Sequence, residues 1–92
     1  MDNGNVSIPD EYICPIARIV MSDPVYFPHL KSKNKHCFER YAILKYLEMN
    51  DEHPLTREKI SISMLAPNLL LKQEIDVFSE KNKTKKDNNF SS

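Results

Sequence analysis

Apolar positions fall into four unequal groups along the chain, set apart by prolines and charge. Ile8, Tyr12, Ile13, Ile16, Ile19, Val20 and Met21 follow neither a helical nor a strand period. Pro15 removes a backbone donor and disfavours the α region at Cys14, so with Pro9 it predicts an ordered loop. Ser22-Asp23-Pro24 is turn chemistry, and Val25-Tyr26-Phe27 has the propensity of a brief strand. Lys31-Ser32-Lys33-Asn34-Lys35 then reads as an exposed hairpin tip. Phe38, Ala42, Ile43, Tyr46 and Leu47 recur on one helical face, with Glu39, Arg40 and Lys45 pointing elsewhere. Asn50-Asp51-Glu52-His53-Pro54 ends that helix.

Beyond it, Ile60 and Ile62 alternate as in a short strand. Asn68 is a good helix N-cap, with Leu71, Ile75 and Phe78 at helical spacing behind it. After Glu80 the composition turns mainly to Lys, Asn, Thr, Asp and Ser, as in a solvated tail. The predicted unit is a small α+β domain over residues 8–79: two long loops framing a central helix, a short β-hairpin and a C-terminal helix. Polar tails occupy 1–7 and 80–92, and no internal repeat is evident.

Composition narrows the partners. A chain of 92 residues holds one small domain, and a formal net charge of zero removes the basic excess that nucleic-acid binding needs. No apolar run approaches the roughly 20 residues of a membrane span, and residues 1–7 carry no signal-peptide core. Neither nucleic acid nor membrane is an expected partner. Cys14 and Cys37 cannot form a disulfide framework, which favours a reducing, cytoplasmic setting. With a single glycine, left-handed turns must fall to Asn or Asp, or be avoided.

Five segments in order carry a resemblance. Ile8-Pro9-Asp10-Glu11-Tyr12-Ile13-Cys14-Pro15-Ile16 resembles the I-P-x-x-F-x-C-P-I opening of the U-box family, and Met21-Ser22-Asp23-Pro24-Val25 its M-x-D-P-V. Phe38-Glu39-Arg40-Tyr41-Ala42-Ile43 is similar to Y-E-R-x-A-I, and Pro54-Leu55-Thr56-Arg57 to P-L-T-R. Leu65-Ala66-Pro67-Asn68, Leu71-Lys72 and Ile75 are similar to the closing L-x-P-N-x-x-L-K-x-x-I. The resemblance implies a RING-like fold without zinc, in which hydrogen bonds and salt links replace the metal cross-brace, and no cofactor. The residue count agrees: two tetrahedral zinc sites need roughly eight Cys or His ligands, whereas the chain has two Cys and three His. A single site from Cys14, His36, Cys37 and a fourth residue lacks paired ligand spacing.

The implied activity is that of a ubiquitin ligase that binds a ubiquitin-charged conjugating enzyme. It places the thioester for attack by a substrate lysine and forms no covalent intermediate, a route of proximity and orientation. Its expected partners are a ubiquitin-conjugating enzyme, ubiquitin as thioester donor and a protein substrate the sequence does not identify. The resemblance assigns Ile16, Tyr46 (where the family usually has Trp) and Pro54 to conjugating-enzyme contact. Their structural alternatives are a core isoleucine, a core-stripe aromatic and a helix stop. Arg57 is the expected ubiquitin-positioning residue, a planar fork able to bond two carbonyls; the alternative is a solvated charge or a loop salt link. Asp23 and Glu39 are candidate internal braces. The adjacent His36 and Cys37 make a poor nucleophile–base pair, because an active thiol needs an electropositive, partly exposed niche.

Three departures from the family pattern stand out. The segment from Val25 to Phe38 is about six residues longer than usual, with Lys35 where glycine is frequent. Arg18 occupies a commonly apolar loop position, where a charge bears on the choice of conjugating enzyme. The loop before Pro54 is about one residue shorter. Two rival readings remain at this level. One is a zinc-dependent SP-RING type of SUMO ligase, suggested by Cys37-Phe38-Glu39 and Tyr46-Leu47-Glu48-Met49-Asn50. The other is a U-box-shaped module that docks without catalysis. Monomer and homodimer are both open. The Asn- and Lys-rich composition admits a microbial effector acting in a host cytoplasm.

Overall fold

The computed structural model describes residues 7–91. The expected N-terminal tail, 1–7, thus lies outside the described residues except for Ser7, which is exposed. Three short strands, β1 (Pro24–Tyr26), β2 (Phe38–Glu39) and β3 (Ala66–Pro67), form an antiparallel sheet in the order β2-β1-β3. Val25 is central: it faces Phe38 on one side and Pro67 on the other. Pro67, which has no N–H, stands on an edge strand, where proline is tolerated. Helix α1 (Arg40–Leu47) follows β2 directly, and α2 (Leu69–Ser91) follows β3. The expected small α+β architecture is therefore present.

The core lies between sheet and helices. Val25, Phe27, Phe38, Ala42, Ile43, Ile60 and Ile75 are buried there with Met21, Leu30, Cys14 and Cys37. Each large aliphatic or aromatic side chain so buried contributes roughly 1.5–3 kcal/mol. Asn68 caps α2 as expected: its Oδ1 accepts the Leu71 N–H at 3.0 Å. Ile75 then enters the core, and Phe78 meets Tyr12 edge to face at 5.3 Å, fastening the helix to the N-terminal loop.

Four sequence expectations need correction. Phe38 belongs to β2 rather than to the helix, because pairing with Val25 holds its backbone extended and α1 begins only at Arg40. Ile60 and Ile62 do not form a strand. Ile60 is buried, whereas Ile62 opens a 3-10 turn (Ile62–Met64) and is exposed, so the third strand is Ala66–Pro67. The polar stretch from residue 80, expected as a tail, continues α2 as helix to Ser91. Glu and Lys are good helix formers and need no burial to take that conformation. Last, the left-handed positions among the described residues fall to Arg18, Lys33 and Arg57 (φ 60°, 62° and 69°), not to Asn or Asp.

Glu39 acts as the internal brace the sequence suggested. It is only 4% exposed, and its carboxylate accepts the Ser22 N–H (2.7 Å), the Ser22 hydroxyl (3.1 Å) and the Asp23 N–H (3.3 Å). This ties the end of the first loop to the start of α1. Asp23 adds an exposed ion pair with Arg40 at 2.8 Å, and its carbonyl accepts the Arg40 N–H.

Candidate functional site

Two loops flank α1, and they are built alike. In the first, Cys14 Sγ accepts the N–H groups of Ile16 (3.4 Å) and Ala17 (3.3 Å). The Cys14 carbonyl takes the Arg18 N–H, the Cys14 N–H donates to the Ile19 carbonyl, and Ile13 bridges to Val20. In the second, His53 Nδ1 accepts the N–H groups of Leu55 (3.0 Å) and Thr56 (3.1 Å). The His53 carbonyl takes the Arg57 N–H, the His53 N–H donates to the Glu58 carbonyl, and Glu52 bridges to Lys59. Each loop turns back through an arginine in the left-handed region. An internal repeat thus exists after all, with Cys14-Pro15-Ile16-Ala17-Arg18 matching His53-Pro54-Leu55-Thr56-Arg57. The sequences share only Pro and Arg, and the common feature is a buried acceptor that gathers two backbone donors.

Between the first loop and α1 runs an open, mainly apolar groove of about 410 Å³, lined by Ile16, Ala17, Tyr41, Ala42, Lys45, Tyr46, Met49 and Asn50. Ile16 is half-buried, packed on the core at its base but open to the groove. Tyr46 is also half-buried, and its hydroxyl donates to the Glu52 carbonyl at 2.6 Å, linking α1 to the second loop. The phenol therefore both lines the groove and fixes the neighbouring loop. Asn50 closes α1 by donating from Nδ2 to the Tyr46 carbonyl.

The other expected site residues stand outside this groove. Pro54 is half-buried in the second loop, Arg18 is exposed at the turn of the first, and Arg57 is exposed at the turn of the second. The Arg57 guanidinium makes a loose ion pair with Glu52 at 3.8 Å and is mostly solvated. A non-glycine residue in this conformation costs about 1–2 kcal/mol, which the surrounding backbone hydrogen bonds hold in place. The structure thus brings Ile16 and Tyr46 together in one groove, whose lining includes none of Arg18, Pro54 and Arg57.

Sequence reasoning passed over several neighbours. Met49, 84% exposed, and Tyr41 form the outer wall of the groove with Lys45. Their spacing of four residues was the available signal. Leu55, exposed, stands in the second loop where Ile16 stands in the first. His53 read only as part of a helix stop. Cys37 is buried, and burial raises its thiol pKa even though Asn68 Nδ2 donates to its sulfur at 3.4 Å. It is poorly suited to act as a nucleophile. Among the described residues no three His, Cys, Asp or Glu side chains converge on a metal position, and no helix is long and apolar enough to cross a membrane.

Comparison with known proteins places this arrangement. The family model for the U-box domain matches residues 8–84. The chain is 32% identical over 81 residues to the E3 ubiquitin-protein ligase SPL11 of Oryza sativa subsp. japonica, covering 88% of this chain and 11% of that protein. It is 36% identical over 75 residues to the E3 ubiquitin-protein ligase CHIP of Arabidopsis thaliana, covering 80% of this chain and 25% of that protein. The chain therefore spans a small part of the length of these relatives. Among solved structures, the RING finger-like domain of Retinoblastoma Binding Protein-6 matches with a TM-score of 0.67 at 29% identity, covering 79% of this chain and 78% of that one. From the order of its motifs, its fold and these matches together, the chain belongs to the U-box domain family.

Proposed function

We propose that this U-box domain binds a ubiquitin-charged conjugating enzyme and promotes transfer of ubiquitin to a lysine, contributing placement and no nucleophile. One observation carries the reading. Ile16 and Tyr46 face a single apolar groove, and the Tyr46 hydroxyl bonds to Glu52 in the loop that carries Pro54 and Arg57. A partner loop seated in the groove would bury apolar surface at Ile16, Tyr46 and Met49. Pro54 would extend the contact with little entropic loss, its φ being already fixed. Arg57, exposed and held only by a loose ion pair to Glu52, would turn its fork to backbone carbonyls of the donor ubiquitin. Restraining a flexible thioester in a reactive geometry can supply a large acceleration without acid–base groups in the scaffold.

The reading is supported by the names of relatives such as the rice and Arabidopsis proteins, which are E3 ubiquitin-protein ligases. It includes independence from metal: Cys14 and His53 gather backbone N–H groups where a metal-built loop would gather ligands around an ion. The test is single-turnover discharge of pre-charged conjugating enzymes, drawn from a panel, to free lysine in the presence of EDTA. Accelerated discharge with at least one member, abolished by Ile16→Ala, is the expected result. No acceleration with any member, while the domain stays folded, would leave a docking module and refute the ligase reading.

A further inference from the structure

His53 is the least accommodating residue of the second loop in chemical terms. It is 1% exposed, and its ring sits edge-on against Phe27 and Phe38, with centroids at 5.5 and 5.4 Å. Nδ1 accepts two backbone N–H groups, so it carries no proton, and the neutral ring must be the tautomer protonated at Nε2. Nε2 is buried and has no hydrogen-bond partner. A second proton has one place to go. It must enter at Nδ1, where it would confront the N–H groups of Leu55 and Thr56, and the resulting cation would be buried without a contacting carboxylate.

We propose that His53 is a positioning residue whose neutral imidazole holds the Pro54–Arg57 turn, and that protonation at Nδ1 releases this turn and lowers ligase output below neutral pH. The inference rests on the ligase reading for its functional half only; the structural half concerns the loop by itself. Burial pushes the imidazole pKa below its ordinary value of 6.5, while Glu58 in the same loop pulls it up and His36 on the hairpin arm pushes it down. The flanking Phe27 and Phe38 bring no charge, and Glu39, next along β2, is committed to Ser22 and Asp23. Since the folded pKa lies below that of the unfolded chain, opening takes up a proton. The loop is fully held above that ordinary value and progressively released as pH falls below it and through the lower folded value. The first loop carries no such device, because a thiol acceptor does not become a cation.

The test uses His53→Asn and His53→Ala beside the wild-type chain. The Asn Oδ1 can accept both N–H groups and does not titrate in this range. Amide exchange at Leu55, Thr56 and Arg57, and discharge of a charged conjugating enzyme relative to His53→Asn, are followed from about pH 7.5 to about pH 5.5. Wild-type protection of these amides, corrected for intrinsic exchange, should fall over the range by up to about tenfold, the limit set by titration of the unfolded histidine. The same amides in His53→Asn should hold steady, and in His53→Ala they should be weak throughout. Discharge should fall in step with the fraction of closed loop that the exchange data give, not with protection itself. A wild-type decline that persists unchanged in His53→Asn, or nitrogen shifts showing Nδ1 protonated at neutral pH, overturns the proposal. Loop release with the predicted pH dependence, but no discharge by any variant, upholds the loop assignment and refutes the ligase reading instead.

Discussion

Ser32 and Glu58 fasten the hairpin arm to the second loop: the Ser32 N–H and hydroxyl both donate to the Glu58 carboxylate, at 3.1 and 2.6 Å. The arm between β1 and β2 is tethered at Ser32 and turns at Lys33 in the left-handed region. Hydrogen bonds from Ser32, then Thr56, hold the Glu58 carboxyl at about 2, well below the usual carboxylate range.

A titration follows from this tie. The folded pKa is depressed, so the tie is intact above the ordinary carboxylate value of 4.5 and is lost as pH falls through about 2. Carbon-detected NMR of the Glu58 carboxyl should show it ionised throughout mild acid, and Ser32→Ala should move its midpoint up toward 4.5. An unchanged midpoint in Ser32→Ala would mean that the serine is a bystander. Release of the second loop in mild acid therefore cannot come from Glu58.

Removing the buried Glu39 carboxylate takes the acceptor from the part-buried hydrogen bonds of the Ser22 and Asp23 N–H groups. Orphaning such groups costs about 1–3 kcal/mol. Glu39→Ala should show at least that loss in urea unfolding, whereas Asp23→Ala, which removes an exposed ion pair, should cost under about 1 kcal/mol. Equal costs would show that the brace is not seated at Glu39.

At Arg57 stability and activity should part company. Arg57→Gly relieves a left-handed non-glycine residue and should leave urea stability unchanged or raise it by up to about 1 kcal/mol. Under the proposed function it should slow ubiquitin discharge about tenfold or more at saturating conjugating enzyme, with little change in binding. A variant as active as wild type would take Arg57 out of the mechanism.

Tyr46→Phe deletes one hydroxyl and keeps the groove wall. The lost bond to the Glu52 carbonyl should cost about 1 kcal/mol and speed amide exchange in the second loop. Conjugating-enzyme affinity should weaken less than in Ile16→Ala, which removes apolar contact directly. If Tyr46→Phe leaves loop exchange untouched, the hydroxyl is not what couples α1 to the second loop.

Local signals in the sequence were the readable ones. Asn68 and the Leu71, Ile75, Phe78 spacing announce α2 because capping and periodicity act within a turn or two. The spacing of Phe38 to Ala42 fits a helix, yet Phe38 lies in β2. What holds it extended is Val25, thirteen positions away, and the adjoining Glu39 bonds back to Ser22. The likeness of the two loops was hidden for a chemical reason. A thiol and an imidazole do the same work at Cys14 and His53, so the repeat lies in acceptors rather than letters. Ile16 and Tyr46 were legible as a pair through the family resemblance. Met49 and Leu55 were not, since an exposed apolar residue acquires meaning only once the groove and the loops around it are seen.

Under the proposed function, the groove between the first loop and α1 is where a conjugating enzyme docks. The most direct measurement is an amide NMR titration of the labelled domain with a conjugating enzyme that it stimulates, in EDTA. Shifts should concentrate at Ile16, Ala17, Tyr46, Met49 and the Pro54–Arg57 turn. Shifts confined to the exposed Leu69, Leu70 and Val77 on α2, with the groove silent, would contradict it.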